Sequence, residues 1–165
     1  MANKDAPTGF TPIDGSAPCH EYTVTASQTI FKGDPVIITN AGTVSIGAAS
    51  ATTTHLGISA EYIASATAGD KILVYDGVET EFVVQSTTGQ TPAQTNVFNT
   101  ADIVTYAAGN TSTGLSIMEL DTMGTSSKPW LVLRLHPTPD NAWGEHAKVV
   151  VKYNQSVRIA AYAGL

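Results

Sequence analysis

The chain is poor in what catalysis, nucleic-acid binding and membrane insertion need. Its 165 residues hold eight lysines and arginines against fourteen aspartates and glutamates, a formal charge of −6 at pH 7. Binding to phosphates requires clustered basic side chains, and these few are scattered, so no nucleic-acid partner is expected. The same shortage argues against a polybasic membrane contact, and no run approaches the ~20 apolar residues of a membrane span. One cysteine, Cys19, excludes an intramolecular disulfide. Residues 2–9 are polar and turn-rich, without the apolar stretch of a secretory signal, so synthesis and assembly in a cytoplasm are expected. Charged residues are only 13% of the chain, against about 25% in average soluble proteins. The surface must then be largely Thr, Ser, Asn, Gln, Gly and Ala, which is cheap to desolvate against another protein.

Motifs of chemistry are also missing. Thr113-Gly-Leu-Ser116 lacks the second glycine of a nucleophile elbow. The glycines are dispersed as turn residues, with no phosphate-cradling G-x-x-x-x-G-K. Cys19, His20, His136 and His146 lack the paired spacing of a zinc site. Asp140, Glu145 and His146 lie close in sequence beside Trp143, and read as a turn with a polar surface rather than an acid/base loop. No catalytic residue, cofactor or metal is expected, and the chain is not expected to be an enzyme.

What is present is a series of short β-prone segments divided by turn residues. Residues 21–25 alternate with period two. Strands are expected over 31–39, 43–46, 56–59, 71–75 and 78–84, the last two joined by Asp76-Gly77 as a tight hairpin. In 78–84, Phe82 should face the core, and Glu79 and Glu81 should face water. Weaker segments cover 96–98 and 102–106, and residues 113–120 fit either a strand or a helical turn. An apolar strand over 130–136 stops at Pro137, and residues 147–153 alternate with Val149, Val151 and Tyr153 on one side. Helical periodicity is nearly absent. The expected fold is all-β, a small barrel or sandwich (β-tulip or jelly-roll-like). Residues 1–20 would form an extended N-terminal arm, 21–155 a single β domain, and 156–165 a strand or docking tail.

Several stretches resemble tailed-bacteriophage virion proteins. They include the opening Met1-Ala-Asn-Lys-Asp-Ala-Pro7 with Gly9-Phe10 and Pro12, then Phe31-Lys-Gly-Asp-Pro-Val36 and Leu56-Gly-Ile58. Tyr75-Asp-Gly77 with Thr80-Glu-Phe82, and Thr113-Gly-Leu-Ser116 with Glu119-Leu-Asp121, continue the pattern. The most specific part is Pro139-Asp-Asn-Ala-Trp-Gly144 followed by Ala147-Lys-Val-Val-Val-Lys152. Together they resemble the head decoration, or capsid cement, family over most of the chain; residues 155–165 match nothing in that pattern. The resemblance implies a homotrimer on the outer surface of the expanded head, clamping neighbouring major capsid proteins against internal DNA pressure.

Candidate interface residues are Phe10, Pro12 and Ile13 in the arm, Trp143 in its turn and Tyr162 in the tail, since apolar and aromatic side chains anchor protein contacts. Trp130 and Tyr75 are expected in the core. The alternative is a carbohydrate-binding or adhesin-like β-domain displayed on the particle, with Trp143 stacking on a sugar. A concave aromatic pair with convergent polar groups would favour that alternative.

Overall fold

Short strands need partners across a sheet, and this chain finds them within two antiparallel sheets. A computed structural model describes residues 3–49, 55–104 and 109–158. In chain order the strands are β1 (Thr11–Pro12), β2 (Cys19–Thr23), β3 (Pro35–Ile38), β4 (Val44–Ile46), β5 (Gly57–Ser59) and β6 (Lys71–Tyr75). They continue with β7 (Phe82–Gln85), β8 (Thr100–Ile103), β9 (Leu120–Gly124), β10 (Trp130–Leu135) and β11 (Lys148–Tyr153), with one 3-10 turn over Gln94–Asn96. One sheet has the order β2-β6-β5-β3-β4 and the other β1-β7-β11-β10-β8-β9. The fold is an all-β sandwich. Apart from β1, the first half of the chain builds one sheet and the second half the other, so strands do not alternate between layers as in a jelly roll.

Neither sheet closes into a barrel, although the five-stranded sheet rolls up until its end strands β2 and β4 nearly meet, and the six-stranded sheet curls until β9 approaches the end of β7, inside the short edge strand β1. Single parallel bridges span the gaps, Val24 to Val44 in one sheet and Ser86 to Leu120 in the other. The Thr25 and Thr87 amides donate across these gaps to the carbonyls of Val44 (2.8 Å) and Leu120 (2.9 Å). Each sheet consequently has its own apolar centre. The larger holds Phe10, Phe82, Trp130, Val149, Val151 and Tyr153, with Ile58 reaching in from the opposite sheet. The smaller holds Ile30, Val36, Val44, Ile72 and Val74. Among the described residues no helix is long and apolar enough to cross a membrane.

The alternation of burial expected over 78–84 and 147–153 is realised in part: the first strand begins only at Phe82, with residues 78–79 in a turn, and in the second Val150 is buried along with Val149, Val151 and Tyr153. Phe82, Trp130, Val149 and Val151 are fully buried, and Glu79 and Glu81 face outward to Lys152 and Arg134. Three local expectations are corrected. Residues 31–34 form a turn, not the start of a strand, because the Asp34 amide returns to the Phe31 carbonyl (3.0 Å) and Gly33 takes φ +94°. Asp76-Gly77 is not a hairpin turn: β6 and β7 lie in different sheets, and Gly77 lacks the positive φ that such a turn demands. Residues 96–98 belong to the 3-10 turn and its exit, not to a strand.

The N-terminal arm is the largest correction. Instead of standing free, residues 3–13 run along β7 of their own chain. The Ala6 amide donates to Gln85 (3.1 Å), β1 pairs with Val83 and Phe82, and the Ile13 amide donates to the Glu81 carbonyl (3.0 Å). Farther out, the Asn3 side-chain amide donates to the carbonyls of Ala142 and Glu145. The cause is Phe10, whose ring is worth more in the core than in water. Gly9 makes the approach feasible: at φ +67°, a Cβ there would lie 2.5 Å from that of Ser116.

Candidate functional site

The segment linking β1 to β2 passes beside the crossover from β6 to β7 and leaves a groove of about 630 Å³ between them. Its apolar wall comes from Ile13, Ala17, Pro18 and Val78, and its polar wall includes His20 and Arg158. Asp14 shapes the link locally by accepting from the amide (2.9 Å) and hydroxyl (2.8 Å) of Ser16. Those two bonds hold the Asp14 carboxyl below its usual range.

Next to this groove lies Asp76, whose neighbour Gly77 and partners His20 and Arg158 are in the lining. Its carboxylate, 1% exposed, accepts from His20 Nδ1 (2.8 Å), the Tyr22 hydroxyl (2.5 Å) and Arg158 Nη1 (2.7 Å). The same Arg158 nitrogen also donates to the Asp76 carbonyl (3.2 Å). A buried carboxylate is tolerated only when so satisfied. Three parts of the chain are thereby joined: β2, the inter-sheet crossover and the segment after β11. Burial, followed by the bond to Asp76, pushes the Tyr22 phenol up to about 12. Burial also raises the Cys19 thiol, so it is not an activated nucleophile.

On the opposite sheet the surface carries an exposed aromatic side chain. Phe98 is 72% exposed and its backbone is left-handed at φ 64°. The conformation is fixed by its amide, which donates to the Val132 carbonyl at 2.7 Å. A bulky residue at positive φ costs about 1–3 kcal/mol. Here that cost is borne at a position presenting a benzyl ring to water, with no compensating burial within the chain. Ile117, Leu73 and Tyr62 add partly exposed apolar surface elsewhere.

The candidate interface residues separate into different environments. Phe10 is 2% exposed and stacks on Trp130, so it is a core residue of this chain and not an anchor for a partner. Pro12 is half-buried in the two-residue edge strand, whereas Ile13, 44% exposed, lines the groove. Trp143 packs partly against the larger core, and its indole N–H donates to Gln94 Oε1 (3.1 Å). Tyr162 lies outside the described residues. Trp130 is fully buried, and Tyr75 packs against the same core.

Cys19, His20, His136 and His146 do not converge. Cys19 and His20 are neighbours on β2, where successive side chains take opposite faces, and His20 is bound to Asp76. Nor do Asp140, Glu145 and His146 form a triad: Glu145 accepts from the Gly89 amide (2.6 Å), while His146 faces Asp5. Sequence reasoning missed Asp76 and Arg158 as partners because Asp-Gly is also a turn signal. Phe98 carried no signal, since its exposure follows from a backbone conformation that no local pattern announces. No protein-family model matches the chain, and no curated protein sequence is significantly similar to it.

Proposed function

We propose that the chain is a virion structural protein of the head-stabilising kind. In this reading it binds the outside of the expanded phage capsid as a homotrimer and bridges neighbouring major capsid proteins. The observation that carries the reading is Phe98, a ring 72% exposed on a strained backbone within a surface of low charge. Such a residue is suited to be buried by another protein. A clamp repeated over a lattice needs only modest affinity per contact, since linked contacts raise the effective concentration of one another.

The carbohydrate-binding alternative is less well supported. Neither the groove beside Asp76 nor the smaller one between residues 6–13 and β7 has a Phe, Tyr or Trp side chain in its lining. Trp143 is half-buried, with its N–H engaged, and Tyr62 is stacked on Phe31 at 5.0 Å.

The test is co-sedimentation of the purified protein with expanded and unexpanded heads of the cognate phage. Saturable binding to expanded heads alone, at a fixed ratio to capsid subunits, is the expected outcome. Failure to bind either form would overturn the reading and direct the search to glycans.

A further inference from the structure

A cluster that shares no residue with the groove beside Asp76 or with Phe98 brings together three segments distant in sequence. Asp5 comes from the N-terminal segment, Glu119 immediately precedes β9, and His146 lies in the turn before β11. One potential ligand atom from each lies within 4.8 Å of the other two. The Nδ1 atom of His146 is 3.7 Å from Asp5 Oδ1, inaccessible to solvent and without a hydrogen-bond partner. Its imidazole is only 15% exposed.

The two carboxylates are under-compensated. Both accept from the same Gln85 Nε2, each at 2.9 Å, and Glu119 also takes a hydrogen bond from the Thr87 side chain, so apart from His146 only neutral groups face the two acids. Among the described residues no lysine or arginine pairs with either of them. Two carboxylate oxygens and an orphaned imidazole nitrogen make a donor set that a cation would satisfy and that the protein alone leaves short of positive charge.

We propose that Asp5, Glu119 and His146 form a site for a divalent transition-metal ion, Zn²⁺ or Mn²⁺, with water completing its coordination. The imidazole and the absence of thiolate disfavour both the hard all-oxygen preference of Ca²⁺ and Mg²⁺ and a thiolate-type site. Because the ligands come from three distant segments, the ion would fasten the N-terminal segment to the body of the fold. The site is independent of the capsid reading and stands or falls separately.

The experiment is calorimetric titration of the full chain, stripped with chelator, with Zn²⁺ and with Mn²⁺ separately, using Ca²⁺ and Mg²⁺ as controls. Thermal unfolding is followed in parallel. One ion per chain and a rise in the unfolding temperature are expected with Zn²⁺ or Mn²⁺. His146→Ala and Glu119→Gln should each weaken binding by about tenfold or more, because each removes a ligand. Cys19→Ser and His20→Ala should leave it unchanged. Asp5→Asn, on a residue 58% exposed, serves if the other ligand variants do not fold. No saturable binding of either ion up to about 1 mM, or binding undiminished in the ligand variants, would overturn the proposal.

Discussion

The ring of Phe10 lies 4.4 Å, centroid to centroid, from the indole of Trp130. This contact joins the N-terminal segment to the strand at the centre of the larger core. Trp130 also meets Phe82, Tyr153 and His55, so Phe10 is one wall of an aromatic box. Phe10→Ala should therefore cost about 3–5 kcal/mol, a core penalty and not that of a frayed terminus. Urea unfolding monitored by tryptophan fluorescence measures it; a loss under about 1 kcal/mol would mean that the segment is dispensable to the fold.

Asp76 makes a second prediction. Replacing it with alanine leaves Arg158 without its buried partner and deprives Tyr22 and His20 of their acceptor. Because Arg158 and His20 are themselves about half exposed and water can replace the lost acceptor, the expected destabilisation is that of several charge-assisted hydrogen bonds to a buried acceptor, about 2–4 kcal/mol. Tyr22→Phe removes only one donor to that carboxylate and should cost about 1.5–3 kcal/mol. Chemical denaturation of the two variants checks the order, which reverses if Asp76 is merely a turn residue.

His55 and Asp34 should oppose each other as pH changes. Burial lowers His55 to about 4 and raises Asp34 to about 6. Both ring nitrogens of His55 lack partners, and Asp34 accepts the Phe31 amide through only one oxygen. Between roughly pH 6.5 and 4 the unfolded state holds the extra proton on histidine, so the His55 contribution to stability falls as pH falls. For Asp34 the folded state holds the extra proton between roughly pH 6 and 3.8, so its contribution rises as pH falls. Each amounts to about 3 kcal/mol over its full window, and the two nearly cancel. Single variants should expose the hidden slopes. Asp34→Asn should lose stability on acidification and His55→Leu should gain it. Denaturant midpoints measured across this pH range would show parallel profiles if neither group is buried as described.

Phe98 separates folding from binding. Phe98→Gly relieves the left-handed backbone and should stabilise the free protein by about 1 kcal/mol, since glycine adopts that conformation without penalty. Under the proposed function the same change should weaken attachment to expanded heads. A variant that is more stable and binds equally well would remove Phe98 from the interface.

Most of the strand pattern was legible in the sequence because burial in a sandwich imposes a period of two. Val149, Val151 and Tyr153, and Phe82 opposite Glu79 and Glu81, show it directly. What could not be read was pairing. Asp76-Gly77 has hairpin chemistry, yet the carboxylate is claimed by His20, Tyr22 and Arg158, and the chain crosses between sheets instead of turning back. Phe10 sits among Pro7, Gly9 and Pro12, whose composition suggests a loose arm. Only the three-dimensional position of Trp130 reveals that the ring is captured. The cluster of Asp5, Glu119 and His146 was hidden for the same reason: its members have no common spacing, and Gln85, which draws the carboxylates together, is not itself a titrating residue.

The single bridges at Val24–Val44 and Ser86–Leu120 bear on how such a chain behaves when crowded. Open strand edges template fibres, and the eight lysines and arginines of this chain are few to guard them. Curling the sheets until β2 meets β4 and β9 meets the end of β7 masks much of those edges without recruiting lysines to guard them. The protection is thin, because each seam has one bridge where a continuous ladder would have several. Opening either seam would expose β4 or β9 to a neighbouring molecule, and strand exchange between copies should begin there.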